Sequence, residues 1–228
     1  YTLSLHDALP IYLDIGGVQP SIKVPHLMNL DITIPKSSTQ AKIVEILSSF
    51  DDKIELNRKI NKNLEEIAST VFKKWFIDIG DELPEGWKIE NLSSFGEVVC
   101  GKTPLKSVSE YFGGNIPFIK IPDMHGNIFI IKTEDSLTNS GVYSQKSKTI
   151  PKDSICVSCI ATVGLVSMST RDSQTNQQIN SIIPSNKFYQ FYLFHTLRNL
   201  SDYLQRIGSS GSATLNINTR SFSSIGII

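Results

Sequence analysis

One uninterrupted amphipathic stretch, residues 37–79, constrains what this chain can fold into more than any other feature. It holds no glycine or proline, and Ser37 and Ser38 supply an N-cap signal at its start. Its inner positions follow alternating steps of four and three residues, the heptad spacing of a coiled-coil seam. The seam positions are Ile43, Leu47, Phe50, Ile54, Asn57, Asn61, Leu64, Ala68, Val71 and Trp75. The pattern predicts one helix of about 38 residues and roughly 58 Å that requires a partner helix.

Two of the seam positions are polar, Asn57 and Asn61. A buried polar residue in a coiled coil tends to fix the register and the number of helices rather than to add stability. We therefore expect these two asparagines to specify how the long helix pairs with its partner.

An internal repeat flanks the long helix. Residues 16–33 align with residues 211–228 at a constant offset of 195 without gaps. The paired positions are Gly16 with Gly211, Ile22 with Ile217, Leu27 with Phe222, Leu30 with Ile225, and Ile32 with Ile227. The long helix follows the first copy at once, whereas the sequence stops after the second. We therefore expect this chain to be a fragment from which a second long helix is missing.

The composition limits the size of the core, the partners and the cellular compartment only broadly. The chain of 228 residues is 40% apolar and can bury one or two cores. Its formal net charge of zero counts against a general polyanion binder, although local basic patches remain compatible with DNA contact. Three cysteines, an odd number, argue against a disulfide scaffold and favour a reducing cytoplasm. No apolar run approaches the length of a membrane span, so we expect no membrane association.

Residues 1–11 resemble a translated sequencing adapter, and we interpret them as a non-native segment. The alternative is a divergent turn-and-strand piece. Residues 80–86 are acidic and turn-rich, which is typical of a connector.

From Trp87 onward, short β-type runs are separated by Gly, Pro and Asn. The predicted strands are Glu97–Cys100, Ile116–Ile121, Ile128–Lys132, Ser154–Ile160, Val163–Met168 and Gln178–Ile183. A helix at 188–207 is predicted from the apolar spacing of Leu193, Leu197 and Leu204. The predicted fold class is α+β, a strand-rich domain attached to one long coiled-coil-type spacer helix.

The order of these segments resembles the specificity subunits of type I restriction-modification systems. The segment LPEGWKIENLSSFGEVVCGKTP is similar to the start of a target-recognition domain, and IPFIKIPDM, SICVSCIATVGLVSMS and TNQQIN follow in the family's order. The segment IPKSSTQAKIVEILSSFDDKIELNRK resembles the region between that family's two recognition domains. The resemblance covers residues 12–228, and the chain departs from the family pattern by truncation.

The resemblance implies a non-catalytic subunit that reads one half of a bipartite DNA target, with helices that set the spacing between the halves. Its implied partners are double-stranded DNA, methyltransferase subunits and a restriction/translocase subunit, in a bacterial or archaeal cytoplasm. It implies no cofactor on this chain, with S-adenosylmethionine, ATP and Mg expected only on partner subunits. The implied organisation is a remnant of a first recognition domain (12–36), a spacer helix (37–79), a connector (80–86) and a truncated second recognition domain (87–228).

Two motifs and the histidines bear on other functions. The segment GEVVCGKT at 96–103 matches the P-loop pattern, but Pro104 follows where the required helix should begin. Cys156 and Cys159 form a C-x-x-C pair inside a strand pattern, and no second pair completes a zinc site. The histidines show no ligand or general-base spacing, and we expect no metal. The P-loop enzyme remains an alternative, as does a coiled-coil scaffold without a DNA role.

A set of polar residues in 87–228 suits DNA contact. Phosphates favour Lys, Arg and small hydroxyl groups, whereas base edges favour Arg, Asn, Gln, Ser and Thr. The candidates are Lys102, Thr103, Lys106, Lys120, Asp123, Arg171, Ser173, Asn176, Gln177, Gln178, Asn216, Asn218 and Arg220. The alternative for each is that it only satisfies backbone groups beside a strand.

Overall fold

A computed structural model describes residues 24–28, 33–80, 82–209 and 215–228. They belong to two compact units, Tyr1–Asn63 and Leu64–Ile228. The helices are α1 (Val24–Met28), α2 (Ser37–Phe76), α3 (Ile121–Met124), α4 (Asn139–Tyr143), α5 (Tyr189–Asn199), α6 (Ser201–Ser209) and α7 (Thr219–Ser223). The adapter-like segment 1–11 and most of the first repeat copy lie outside the described residues.

The long helix α2 confirms the main expectation from the sequence. It runs without interruption for 40 residues, from Ser37 to Phe76. The seam positions are exposed along it, with 60% of Phe50 and 64% of Trp75 accessible to solvent. Phe72 is the buried residue of α2. The helix therefore presents an apolar stripe without a covering element among the described residues.

The repeat is visible in helix positions. Helix α1 at Val24–Met28 and helix α7 at Thr219–Ser223 are both five residues long and lie at the same offset of 195. In the second copy Asn218 caps the helix, because its Oδ1 accepts a hydrogen bond from the Ser221 amide at 2.9 Å. Similar local structure at aligned positions supports the internal repeat.

The second unit is built on two sheets. Its strands are β1 (Glu90–Asn91), β2 (Gly96–Cys100), β3 (Phe112–Ile119), β4 (Phe129–Ile130), β5 (Asp135–Leu137), β6 (Thr149–Ile150), β7 (Ile155–Ser158), β8 (Val166–Ser169), β9 (Ser173–Thr175), β10 (Ile179–Pro184) and β11 (Gly226–Ile227). The described strands form a five-stranded sheet of order β2-β10-β7-β8-β4 and a four-stranded sheet of order β5-β3-β9-β6. Strands β1 and β11 form a separate antiparallel pair. Each of the six predicted strands corresponds to an observed strand, with shifted ends.

One predicted strand was too long. The predicted strand Ile116–Ile121 ends at Ile119, and Ile121 begins helix α3 instead. Pro122 suits the first turn of a helix. Asp123 closes that turn, because its Oδ2 accepts a hydrogen bond from the Lys120 amide at 2.8 Å.

The predicted helix at 188–207 is two helices. Helix α5 ends at Asn199 and α6 begins at Ser201. The Ser201 hydroxyl donates to the carbonyl of Gly164 at 3.1 Å, which ties the junction to the loop before β8. Leu193, Leu197 and Leu204 are fully buried on both sides of the break, so the apolar face stays continuous.

Residues 215–228 close the main core. Ile217, Phe222 and Ile227 are buried in the same cluster as β7 and α5. Strand β11 pairs with β1, and the Leu92 amide donates to the carbonyl of Ile225 at 2.8 Å. Residues 215–228 of the second repeat copy are therefore an integral part of the core.

An aromatic cluster joins the last turns of α2 to the rest of the second unit. The rings of Phe72 and His195 stack with centroids 5.3 Å apart. Phe76 contacts Trp87 at 5.7 Å and Tyr192 at 5.3 Å. No helix within the described ranges is long and apolar enough to cross a membrane.

Candidate nucleic-acid interface

Seven of the predicted polar residues lie along one edge of the five-stranded sheet. Strand β2 ends there at Cys100, which is paired with Asn180 near the start of β10, and β7 ends beside Ile179. Chain segments that leave or enter these strands carry the polar side chains. We call this set the polar edge: Lys102, Thr103, Asn176, Gln177, Gln178, Asn216 and Asn218.

The turn after β2 is held tightly at the polar edge. The Lys102 amide donates to the carbonyl of Thr175 at 2.9 Å, and the Thr103 hydroxyl donates to Gln177 Oε1 at 2.7 Å. A Cβ atom at Gly101 would lie 2.2 Å from both the carbonyl oxygen of Asn176 and Thr175 Oγ1. Only glycine permits this close approach, while the side chain of Lys102 stays exposed.

The segment 176–178 supports itself through its own amide groups. Asn176 Nδ2 donates to Gln178 Oε1 at 2.9 Å, and the Gln178 amide donates to Asn176 Oδ1 at 3.1 Å. Asn176 is therefore buried and structural, whereas Gln177 between them is exposed. This arrangement presents the Gln177 side chain from a fixed backbone.

The segment 216–218 reaches the same edge through β7. The Cys159 amide donates to the carbonyl of Gln178, and the Ile217 amide donates to the carbonyl of Cys159, each at 2.8 Å. Asn216 and Asn218 are exposed, although Asn218 also caps α7. Asn216 and Asn218, both in the second repeat copy, thus lie beside the segment 176–178 that precedes β10.

Lys120 and Asp123 adjoin the polar edge but are engaged elsewhere. The Lys120 ammonium contacts Asp135 at 2.8 Å and Glu134 at 3.3 Å. The hydrogen bond that the Lys120 ammonium donates to Asp135 raises the pKa of Lys120, against the lowering effect of its burial. The Asp123 carboxylate accepts backbone hydrogen bonds from Lys120 and Glu134. Both side chains serve the local structure around α3.

The remaining candidates lie away from the polar edge or take no part in the hydrogen bonds described for it. Arg171 and Ser173 are at the opposite end of β9, where Ser173 is 1% exposed and donates to the carbonyl of Arg171. Arg220 is exposed on α7, and Lys106 is exposed on the loop after β2. The buried Ser173 cannot reach an external ligand in this conformation.

The structure does not support a phosphate-binding loop at 96–103. Residues 96–100 form β2, whose register pairs Val98 with Ile182. A P-loop requires free, converging backbone amides and a helix that begins at its lysine. The residues after Lys102 form an extended loop instead.

The cysteine pair is part of the core, as the strand pattern predicts. Burial raises the pKa of the Cys156 thiol to about 12 and that of Cys159 to about 11. Both thiols are free. Among the residues that the structure describes, no three His, Cys, Asp or Glu side chains cluster in a way that could hold a metal ion.

Two residues that shape this interface were missed by the sequence reasoning. Gln145 Nε2 donates to the carbonyl of Lys102 at 2.6 Å, and Gln174 is hydrogen-bonded to Gln145. Neither belongs to a motif, and both lie in stretches whose polarity is typical of loops. Only the tertiary fold brings them under the turn after β2.

Comparison with known proteins places the chain in a family. The sequence model for the "Type I restriction modification DNA specificity domain" matches residues 1–66 and 84–228. The chain belongs to this type I specificity family. The observed mixed fold with one long helix agrees with the fold predicted from the sequence.

Members of the type I specificity family are similar over much of the chain. The Type I restriction enzyme HindI specificity subunit of Haemophilus influenzae is 38% identical, over 93% of this chain and 62% of the relative. The MjaIX specificity subunit of Methanocaldococcus jannaschii is 34% identical over 64% of this chain and 33% of the relative. The chain therefore spans less than two thirds of the relatives that it matches.

Solved structures from the same family share the fold. A chain from a structural study of type I restriction-modification complex assembly has a TM-score of 0.56 at 19% identity, over 97% of this chain and 55% of its own length. The HsdS subunit of Thermoanaerobacter tengcongensis has a TM-score of 0.53 at 19% identity, over 93% of this chain and 51% of its own length.

Proposed function

We propose that this chain is the DNA-reading part of a type I restriction-modification specificity subunit, and that residues 87–228 read one half of a bipartite target. The observation that carries the proposal is the polar edge. It exposes Lys102, Gln177 and Asn216 side chains on backbone that hydrogen bonds hold in place.

The chemistry of the polar edge suits both parts of DNA recognition. A lysine ammonium attracts phosphate through charge, and this term is sensitive to salt. The amides of Asn and Gln donate and accept at once, which matches the major-groove edge of adenine. A fixed backbone limits the entropy lost when these side chains engage a duplex. Asp123 and Ser173 are left out of the proposed interface because their polar groups face inward.

The exposed stripe on α2 supports a second role in assembly. Apolar seam residues such as Ile43, Leu47 and Ile54 are all accessible. Covering such a stripe with a second helix removes apolar area from water. We propose that α2 pairs with another helix, sets the spacing between the two half-sites and helps to dock methyltransferase and restriction subunits.

The proposed subunit is not itself catalytic. The thiols of Cys156 and Cys159 are buried in the core, and Lys120 is paired with acidic residues. S-adenosylmethionine, ATP and Mg would act on the partner subunits, and this part of the proposal rests on the family. A cytoplasmic location stays a prediction.

Selection from random-sequence duplex DNA tests the proposed function. The full chain would be mixed with the library, and bound DNA would be recovered and sequenced over several rounds. We expect enrichment of one short motif. Enrichment of no motif, or DNA retention without sequence preference, would contradict the proposal and favour a scaffold without a DNA role.

Two pairs of variants separate backbone contact from base reading. Lys102→Ala should weaken binding to all sequences alike and reduce the salt slope by about one, whereas Gln177→Ala should relax preference at one base position. The matched controls are Lys187→Ala and Gln190→Ala, both of which follow the opposite end of β10. Equal effects of the control and test variants would show that the polar edge is not part of the DNA interface.

A further inference from the structure

The backbone of Lys102 is held at both its amide and its carbonyl by different parts of the fold. Its amide donates to the carbonyl of Thr175 at 2.9 Å. Its carbonyl accepts a hydrogen bond from Gln145 Nε2 at 2.6 Å. The first contact comes from the end of β9, and the second comes from the segment after α4.

Gln145 makes this contact from the interior. Its side chain is 7% exposed, and its Nε2 uses both hydrogens, one for Lys102 and one for Gln174 Oε1 at 2.8 Å. Because a carbonyl can only accept, the contact with Lys102 fixes which end of the Gln145 amide faces the loop. The side chain has no freedom to turn over without losing both bonds.

Gln174 extends the contact to a third segment. It is fully buried on β9, and its Nε2 donates to Thr149 Oγ1 at 2.9 Å and to the carbonyls of Val142 and Gln145, each at 3.2 Å. The two glutamines therefore connect β9, the segment 142–149 and the loop after β2. We call them the amide pair, Gln145 and Gln174.

The amide pair fills this space with a loss of stability. Among the described residues, Gln145 Oε1 and the nearby Thr175 Oγ1 are buried without a hydrogen-bond partner. Buried polar atoms without partners are uncommon, and each one lowers stability. Apolar side chains would fill the volume without that loss. The arrangement favours a defined position for Lys102 over maximal stability.

We propose that Gln145 is a positioning residue for sequence recognition, and that the amide pair sets the placement of Lys102 and Thr103 relative to Gln177. The inference rests on the proposed DNA-reading function and deepens it. Gln145 does not touch DNA. It acts through the backbone of the turn after β2. Its loss therefore reduces the preference for particular bases and leaves the charge of the interface unchanged.

The test is Gln145→Met, which keeps an unbranched side chain of similar length and removes the donor. The unmodified chain and the variant would each select from random duplex DNA and then be titrated with the selected motif and a scrambled duplex. We expect the preference for the motif to fall about tenfold, the size of one lost base contact, with affinity for scrambled DNA unchanged. Hydrogen exchange of the peptide containing residues 101–106 should become faster without DNA.

The control is Gln190→Met, the same change on α5, where the Gln190 amide contacts Met168. It should leave the motif and the loop exchange unchanged. If Gln145→Met shows no cooperative unfolding transition, Thr149→Val decides by the same readouts, because it removes the closest of the three acceptors of Gln174 Nε2 and leaves Gln145 in place. Unchanged preference with unchanged loop exchange would overturn the positioning role. Failure of the unmodified chain to select any motif would instead overturn the proposed function.

Discussion

The Thr103 hydroxyl donates to Gln177 Oε1 at 2.7 Å, although the two residues are 74 positions apart in the sequence. The contact joins the loop after β2 to the loop before β10. Because both side chains lie at the surface of the polar edge, the bond orients the Gln177 amide and leaves its Nε2 hydrogens available to a ligand.

Removing this bond should weaken specific DNA binding. Thr103→Val keeps the shape and deletes the donor, and we expect a loss of about 1 kcal/mol, or fivefold, in affinity for the selected motif. A double-mutant cycle with Gln177→Ala measures the coupling. Additive losses would mean that Thr103 does not orient Gln177.

Phe72 should be the main anchor of the last turns of α2 on the rest of the second unit. It is 6% exposed and stacks against His195, so Phe72→Ala should destabilise the unit by about 3–5 kcal/mol. Trp75→Ala is the matched control, since Trp75 is 64% exposed on the same helix. Chemical denaturation followed by circular dichroism compares the two. Equal destabilisation would show that α2 is not anchored through Phe72.

The exposed stripe on α2 should cause self-association of the purified chain. Leu47 and Ile54 are 56% and 48% exposed, and burying them against another helix is favourable. Analytical sedimentation should show species that grow with concentration, and Leu47→Gln with Ile54→Gln should shift them toward monomer. Glu45→Gln with Asp52→Gln on the same helix is the control. A clean monomer of the unmodified chain at high concentration would contradict this prediction.

Stability should fall as the pH is lowered past the normal pKa of histidine. Burial, and secondarily the charge of Arg198, lowers the pKa of His195 from its usual 6.5. The folded state therefore favours the neutral imidazole more than the unfolded state does. The stabilisation is fully present above pH 6.5 and is lost progressively as pH falls toward the depressed folded-state pKa.

The variant His195→Phe isolates this contribution. A phenyl ring can keep the stacking on Phe72 and cannot titrate. Between neutral pH and pH 5 or so, the free energy of unfolding should decline less for the variant than for the unmodified chain. Parallel declines would assign the pH dependence to other groups.

Helix α2 could be predicted from the sequence because its signal is local and repeated. The same spacing repeats from Ile43 to Trp75, and no glycine or proline interrupts it. The break at Leu200 had no such signal, because the apolar face of 188–207 continues across it. A tertiary hydrogen bond from Ser201 to Gly164 marks the junction of α5 and α6.

The four-stranded sheet was the hardest part to predict. Strand β9 reads Ser173, Gln174 and Thr175, all fully or almost fully buried, and β5 begins with Asp135. Polar residues inside a protein are satisfied by partners from distant segments, which hydrophobic patterning does not report. The same reason explains the polar edge: residue types suited to DNA were recognisable, but the link between Thr103 and Gln177 was not.

Substitutions at Gly101 and at Lys102 have different structural consequences at the polar edge. A side chain at Gly101 would have to move the backbone of Asn176 before any recognition group could be placed. The exposed side chain of Lys102 can be replaced without disturbing either strand. In the proposed interface, the DNA contacts around Gly101 can therefore change by single substitutions that leave this backbone in place, and a variant library that tests the proposal should hold position 101 as glycine while randomising its neighbours.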